Sequence, residues 1–389
     1  MNNTPEINDI DPTILTAPVR QALDAPTAEI IQWERDSIRY INTEKSNLGL
    51  YRFRGTANVD GQARPWSVVL KAVRAPLHDA DPSFWNYHRR EILAYQDSLL
   101  AELPGGLLAP RCLGSSQYSD GVCWLWLEDI VDSSGQAWSL DEYRLAARQL
   151  GRFNGAYLVG APLPIRPWLS RHWLQGWMAH YEQGCRDTLR LVRDEDFWEH
   201  PLLKSAFPTS ISDDVLRLWD SHEVLLAALD RLPQTFCHMD AYRPNLFIRR
   251  DAQGMEQTVA IDWVFAGVGA VGEEIANLLA ASLIWLEHDA ADAKGLDEAV
   301  FSGYLDGLRA AGWKEDFRLA RLGYATACAL RWGVVGLWWL RSLTSAEEQA
   351  EFEKHWGYPM PELVQQWSSA IYYVLGLAEE AQQLRRALL

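Results

Sequence analysis

The chain has 389 residues, 48% of them hydrophobic and 23% charged. This is the composition of a globular protein able to bury sizeable cores, and it excludes disorder and collagen-like order. With 36 Lys plus Arg against 52 Asp plus Glu the net charge is −16, a field that repels phosphate polymers and attracts cations, which argues against general nucleic-acid binding. The five cysteines, Cys112, Cys123, Cys185, Cys237 and Cys328, are odd in number, widely spaced and in no CxxC pair. Neither a disulfide framework nor a zinc site is expected, and a reducing cytoplasm fits best. The N-terminal residues have no basic n-region or apolar h-region, and no run of about 18 uncharged apolar residues occurs, so neither export nor membrane spanning is expected.

In chain order, Thr13 to Leu23 suits a short helix and Glu29 to Tyr40 a strand. Leu48 to Ala57 and Trp66 to Ala75 flank an Asp60-Gly61 turn signal and read as an antiparallel hairpin, whose second strand, SVVLKAV, carries Lys71. Phe84 to Leu103 shows helical spacing, with Glu91 on its polar side, up to the stop at Pro104-Gly105-Gly106. The apolar run Val122 to Leu127, ending in Glu128 and Asp129, reads as a buried strand leaving the first lobe. Beyond it helices are expected at Asp141 to Leu158, Trp173 to Val192, Asp213 to Leu229, Glu273 to Glu287, Glu298 to Ala311, Phe317 to Leu343 and Pro361 to Leu388. Among them TFCHMDAYRPNLFIRR and TVAIDWVFAG read as a loop, a strand, a hairpin turn and a second strand.

Chemistry concentrates in that insertion. In HMDAYRPN, Asp240 and Asn245 lie five apart on one loop, a spacing that lets a carboxylate face an acceptor hydroxyl and an amide face a metal ion. Read alone, the same residues also suit a polar turn. Asp262 ends the apolar strand TVAI, a place from which a carboxylate can hold a hard divalent cation, although an Asp there is also a common turn former. Lys71 sits among apolar neighbours. Facing a core it would need a partner such as Glu91, while on an edge strand it would face solvent.

The order strand-Lys, helix-Glu, apolar linker, HxDxxxxN loop and strand-Asp resembles the protein kinase-like fold, most closely the aminoglycoside phosphotransferase family of small-molecule kinases. The matching segments are VVLK, REILAY, LEDI, LGRFNGAYL, HMDAYRPNLF and AIDWVFAGVG, spanning Ser46 to Leu279. The resemblance implies an α+β, bilobal fold: an N-lobe, 1–126, with an antiparallel sheet and a helix that binds nucleotide, and a larger, mainly helical C-lobe, 127–389, with the catalytic loop, metal site and acceptor region. It further implies Asp240 as catalytic aspartate, Asn245 and Asp262 as Mg²⁺ ligands, Lys71 gripping phosphates with Glu91 as its partner, and His238 as a support behind the loop. The backbone at Leu127, Glu128 and Asp129 would meet the base of ATP or GTP. Ser46 and Asn47 stand in for a missing GxGxxG turn, and Glu274 falls where the family usually has an aspartate bracing the catalytic loop.

The implied reaction moves the γ-phosphoryl group to a hydroxyl of a small acceptor such as an aminoglycoside, with no nucleic-acid or membrane partner. A metabolic kinase of the choline, ethanolamine or amino-sugar type and a silent kinase-like binding module are the alternatives. Protein kinase activity is disfavoured, because only about ten residues separate Asp262 from the next helix, too few for an extended peptide-docking loop. Most of the tryptophans, among them Trp173, Trp177, Trp285, Trp332, Trp338, Trp339, Trp356 and Trp367, are expected in the core. A minority, with Glu287, Asp289 or Asp292, would suit an amine-bearing acceptor.

Overall fold

The computed structural model describes residues 4–5, 7, 10–38, 47–74, 81–135, 137–208, 210–251 and 253–389. Helix α1 (Pro12–Ala22) begins where the Asp11 carboxylate accepts the Thr13 N–H, with proline at the first helical position. It covers one face of an antiparallel sheet built from β1 (Glu29–Ser37), β2 (Asn47–Val59), β3 (Gln62–Arg74), β4 (Cys112–Gln117) and β5 (Val122–Glu128), in the order β1-β2-β3-β5-β4. The Asp60-Gly61 turn has positive φ at both residues, 50° and 85°, and sets Val59 opposite Gln62. That backbone matches the right-handed twist of the flanking strands. Alternation along β3 then divides its side chains. Val68, Leu70 and Ala72 join Phe53, Trp124, Trp126 and the Leu15 and Val19 of α1 in one core. Lys71 lies on the other face with Val73, which packs against Cys123 and the Ile92 of α2 (Arg90–Gln96).

The remainder is mainly helical: α3 (Leu140–Leu158), α4 (Trp173–Val192), α5 (Glu195–Trp198), α6 (Pro201–Ala206), α7 (Ile211–Asp220), α8 (His222–Leu229), α9 (Ala276–Ile284), α10 (Ala293–Ala311), α11 (Phe317–Trp332), α12 (Ala346–Trp356) and α13 (Met360–Leu388). Between α8 and α9 lie the pair β6 (Gln234–Cys237) with β9 (Gly267–Ala270) and the hairpin β7 (Leu246–Arg250) with β8 (Glu256–Ala260). The expected α+β arrangement, a sheet first and a helical body after it, is therefore what the chain adopts. No helix among the described residues is long and apolar enough to cross a membrane, and all five cysteines are free.

Helices α3 and α10 run at backbone contact. A Cβ added at Gly151 would lie 2.1 Å from the Tyr304 carbonyl oxygen, and one at Gly307 would lie 2.2 Å from that of Arg148. The segment LGRFNGAYL carries this seam and also Asn154, which donates to the Phe236 carbonyl (2.9 Å) and accepts from the Tyr304 hydroxyl (2.8 Å). The close approach therefore ties α3 and α10 to β6, the strand that delivers the candidate catalytic loop.

Several elements differ from the sequence expectation. Only Arg90–Gln96 of the segment Phe84 to Leu103 is helical, because the guanidinium of Arg90, fully buried, takes the carbonyls of Phe84 (2.6 Å) and Trp85 (2.9 Å) that a helix would give to later amides. The expected helix Asp213 to Leu229 breaks at Ser221, and Phe317 to Leu343 ends at Trp332 before a 3-10 stretch, Val335–Thr344. Strands β4, β6 and β9 are short and lack a strong alternation, which is why the sequence did not disclose them.

Two glycine substitutions separate packing from propensity. Gly151→Ala should destabilise the protein by about 2 kcal/mol or more through overpacking. Gly376→Ala, in α13 with open space around its Cβ position, should stabilise by about 0.5–1 kcal/mol. Thermal melts of both variants check the opposite signs.

Candidate active site

Lys71 is the natural starting point, since a buried ammonium must be paired. Its Nζ lies 2.6 Å from Glu91 Oε2 and 2.7 Å from Asp262 Oδ1. Glu91 Oε1 also accepts the Trp263 N–H at 3.2 Å, so β3, α2 and the turn after β8 are joined at one point. Burial works against the lysine charge, but Asp262 and Glu91 outweigh it and raise its pKa. Burial also works against the Asp262 charge, and Lys71 overcomes it to hold that carboxyl below its ordinary value. For Glu91 burial prevails despite Lys71, and the carboxyl is raised.

Asp262 has φ 63°, a left-handed conformation that Asp tolerates better than most residues. The N–H of the preceding Ile261 donates to the Asn245 carbonyl at 2.9 Å, which brings the two candidate metal-ligand loops side by side. Asn245 spends its amide nitrogen on the backbone oxygen (3.1 Å) and Oδ2 (2.9 Å) of Asp240. Its amide oxygen and the Asp262 carboxylate are oxygen donors of the kind that Mg²⁺ takes, and they are few enough to leave room for phosphate ligands. Among the described residues no group of three or more His, Cys, Asp or Glu could hold a metal ion by itself.

His238 is fully buried. Its Nε2 donates to the Ile261 carbonyl at 2.8 Å and its Nδ1 accepts the Asp240 N–H at 3.2 Å, so the ring is neutral and braces the loop. Burial also lowers its pKa. Glu274 accepts the N–H groups of His238 (2.6 Å) and Met239 (3.2 Å). The longer carboxylate thus reaches the loop and holds Met239 at φ 68°, a conformation that is strained for a side chain of this kind.

The linker residues Glu128 and Asp129 have their side chains engaged elsewhere. Arg52 grips Asp129 with two nitrogens, at 2.8 and 3.0 Å, and the Ser67 hydroxyl donates to it at 2.5 Å. Glu128 pairs with Arg249 of β7 at 3.2 Å. The Glu128 N–H also donates to the Arg111 carbonyl at 2.9 Å. Asn47 opens β2, with its side chain outside the described residues, and Ser46 lies outside them altogether. Of the candidate acceptor acids, Asp289 caps a turn by accepting the Ala291 N–H, and Asp292 pairs with His288 at 3.4 Å. Glu287 is half-buried.

Two residues of the site escaped the sequence reading. Arg331 donates to Asp240 Oδ1 at 2.8 Å and to the Met239 carbonyl at 2.7 Å, and Asn277 donates to the same Oδ1 at 3.0 Å. Burial nonetheless keeps the Asp240 carboxyl above its ordinary value. The available signal was a lone cation within the uncharged run 322–340 and a lone amide in the apolar ANLLAASLI.

Comparison with known proteins gives the chain's family. A family model described as the phosphotransferase enzyme family (APH) matches residues 97–314, more than half of the chain. No curated protein matches. Similar solved structures include an aminoglycoside phosphotransferase from Alicyclobacillus acidocaldarius, at 14% identity, with 100% of this chain and 98% of that one covered and a TM-score of 0.48. A microcompartment-associated aminopropanol kinase shows 15% identity, coverage of 96% and 98% and a TM-score of 0.47. A Plasmodium vivax ethanolamine kinase shows 11% identity, coverage of 91% and 82% and a TM-score of 0.42.

Burial pushes the carboxyls of Glu273 and Glu274 up to about 7 from an ordinary 4.5. Between those values the folded chain keeps protons that the unfolded chain has released, so their contribution to stability declines as pH rises from about 4.5 to 7. Glu274→Gln should reduce the fall in melting temperature between pH 5 and 8. An undiminished fall would show that Glu274 titrates normally in the fold.

Proposed function

The chain belongs to the phosphotransferase enzyme family and is a small-molecule kinase, and on that premise we propose that it moves the γ-phosphoryl group of ATP or GTP to a hydroxyl of an amine-bearing acceptor. The observation that carries this reading is the continuous set of bonds Glu91–Lys71–Asp262 and Asn245–Asp240, closed by the Ile261 to Asn245 backbone bond. Five residues from four separated segments meet where the sheet adjoins the helical body. The division into a nucleotide-binding lobe, 1–126, and a catalytic lobe, 127–389, belongs to the same proposal.

Asp240 orients the acceptor hydroxyl and takes its proton, and Lys71, held by Glu91, positions the phosphates. Asn245 and Asp262 are the residues that would hold Mg²⁺, which when bound supplies neutralisation of phosphate charge. On this scheme the base sits against the linker at Leu127 to Asp129, whose Glu128 and Asp129 carboxylates are engaged elsewhere. Catalysis on this scheme is placement and charge stabilisation.

For the acceptor, the Trp332 indole N–H donates to Asn277 Oδ1 at 3.0 Å, and Asn277 in turn donates to Asp240. Trp285 meets Trp332 edge-on at 6.0 Å and stacks with Trp356 at 5.7 Å. Half-buried Glu287 follows Trp285 by two residues. Aromatic faces favour a cation or amine, and the net charge of −16 acts in the same direction. Aminoglycosides, amino sugars, choline and ethanolamine are the classes to test.

A coupled assay of nucleotide consumption with Mg²⁺, ATP or GTP, and a panel of these acceptors tests the proposal. Asp240→Asn should lower turnover by about 10²-fold or more while leaving the melting-temperature shift produced by Mg-nucleotide intact. Asp262→Ala should diminish that shift. Unchanged turnover in Asp240→Asn would remove the catalytic assignment.

A further inference from the structure

Arg331 is the only charged residue between positions 322 and 340, at the C-terminal end of α11. Its guanidinium lies 4.3 Å over the Trp173 ring. From there one nitrogen donates to the Met239 carbonyl and another to Asp240 Oδ1. Asn277, on α9, donates to the same Oδ1. A carboxylate oxygen has two lone pairs, and both of those on Oδ1 are used. Oδ2, among the described residues, accepts a single bond, from Asn245.

Resting on the kinase reading above, we propose that Arg331 and Asn277 are positioning residues that lock the Asp240 carboxylate, leaving Oδ2 as the one oxygen that meets the acceptor hydroxyl. The torsion at the end of an aspartate is broad and roughly two-fold, so an unclamped carboxylate exchanges its oxygens freely. The planar fork of Arg331 prevents this by bonding two adjacent residues of the loop at once, and Lys, with a single ammonium, does so less well. In the transfer step the hydroxyl oxygen bonds to the γ-phosphorus as the bond from that phosphorus to the β,γ-bridging oxygen breaks. The hydroxyl proton passes to Asp240 Oδ2, and the nucleoside diphosphate leaves. With the carboxylate fixed, this proton path has one geometry.

The test compares Arg331→Met, Arg331→Lys and Asn277→Ala with the wild type, using Mg-ATP and the best acceptor of the panel. Arg331→Met should lower kcat about 100-fold with the KM for ATP unchanged, and Arg331→Lys should recover at least a tenth of the wild-type rate. A wild-type kcat in Arg331→Met, or a loss confined to KM, overturns the proposal. A readout independent of turnover is a double-mutant cycle on melting temperature with Asp240→Asn. Arg331→Met should lower the melting temperature more in the wild-type background than in the Asp240→Asn background, and strictly additive shifts overturn the clamp. If the wild-type protein consumes neither ATP nor GTP with any acceptor, the kinase reading fails, and the cycle alone decides whether Arg331 holds Asp240.

Discussion

A buried ammonium between two carboxylates is the constraint around which the molecule is arranged. Lys71 stands on a strand whose neighbours face apolar cores, and leaving it unpaired there is costly. Removing one partner of a buried ion pair typically costs about 3–5 kcal/mol. Its partners come from α2 and from the turn after β8, so residues 71, 91 and 262 are held together across nearly two hundred positions of sequence. On the proposed function, the charge that demands this pairing is also the one that positions the phosphates. The fold and the proposed chemistry therefore draw on the same three side chains.

Around that point the backbone is held in conformations it would not adopt alone. Met239 and Asp262 both have positive φ, each at a cost of order 1–3 kcal/mol. Glu274 and Arg331 both bind the loop around Met239, one through N–H groups and the other through a carbonyl. Asn154 and Tyr304 anchor the strand leading into the loop, and they do so only because glycines let α3 and α10 touch. Arg90 works in the same way on the other side, collecting the Trp168 and Val264 carbonyls at 2.7 Å each, so that the residues after Asp262 cannot drift from α2.

The linker follows a different logic. Arg52 and Ser67 tie Asp129 to the sheet, while Arg249 ties Glu128 to the β7–β8 hairpin. The two carboxylates thus join the sheet to the helical body.

The sequence by itself determined the order of chemical groups, because a lysine in an apolar strand, a helical glutamate, an HxDxxxxN loop and a strand-terminal aspartate are local patterns with local physical reasons. It also determined the Asp60-Gly61 hairpin, where the turn residues set the backbone twist, and the long amphipathic helices, where periodicity is strong. Tertiary structure decided the rest. Helix α2 is short because Arg90 takes carbonyls for its own buried charge, an outcome set by what surrounds residue 90 and not by helix propensity. Strands β6 and β9 form because two short segments lie alongside each other. Arg331 and Asn277 reach Asp240 from helices 91 and 37 residues away, and no local pattern marks that reach. Contacts between distant segments depend on packing geometry, which one-dimensional periodicity does not encode.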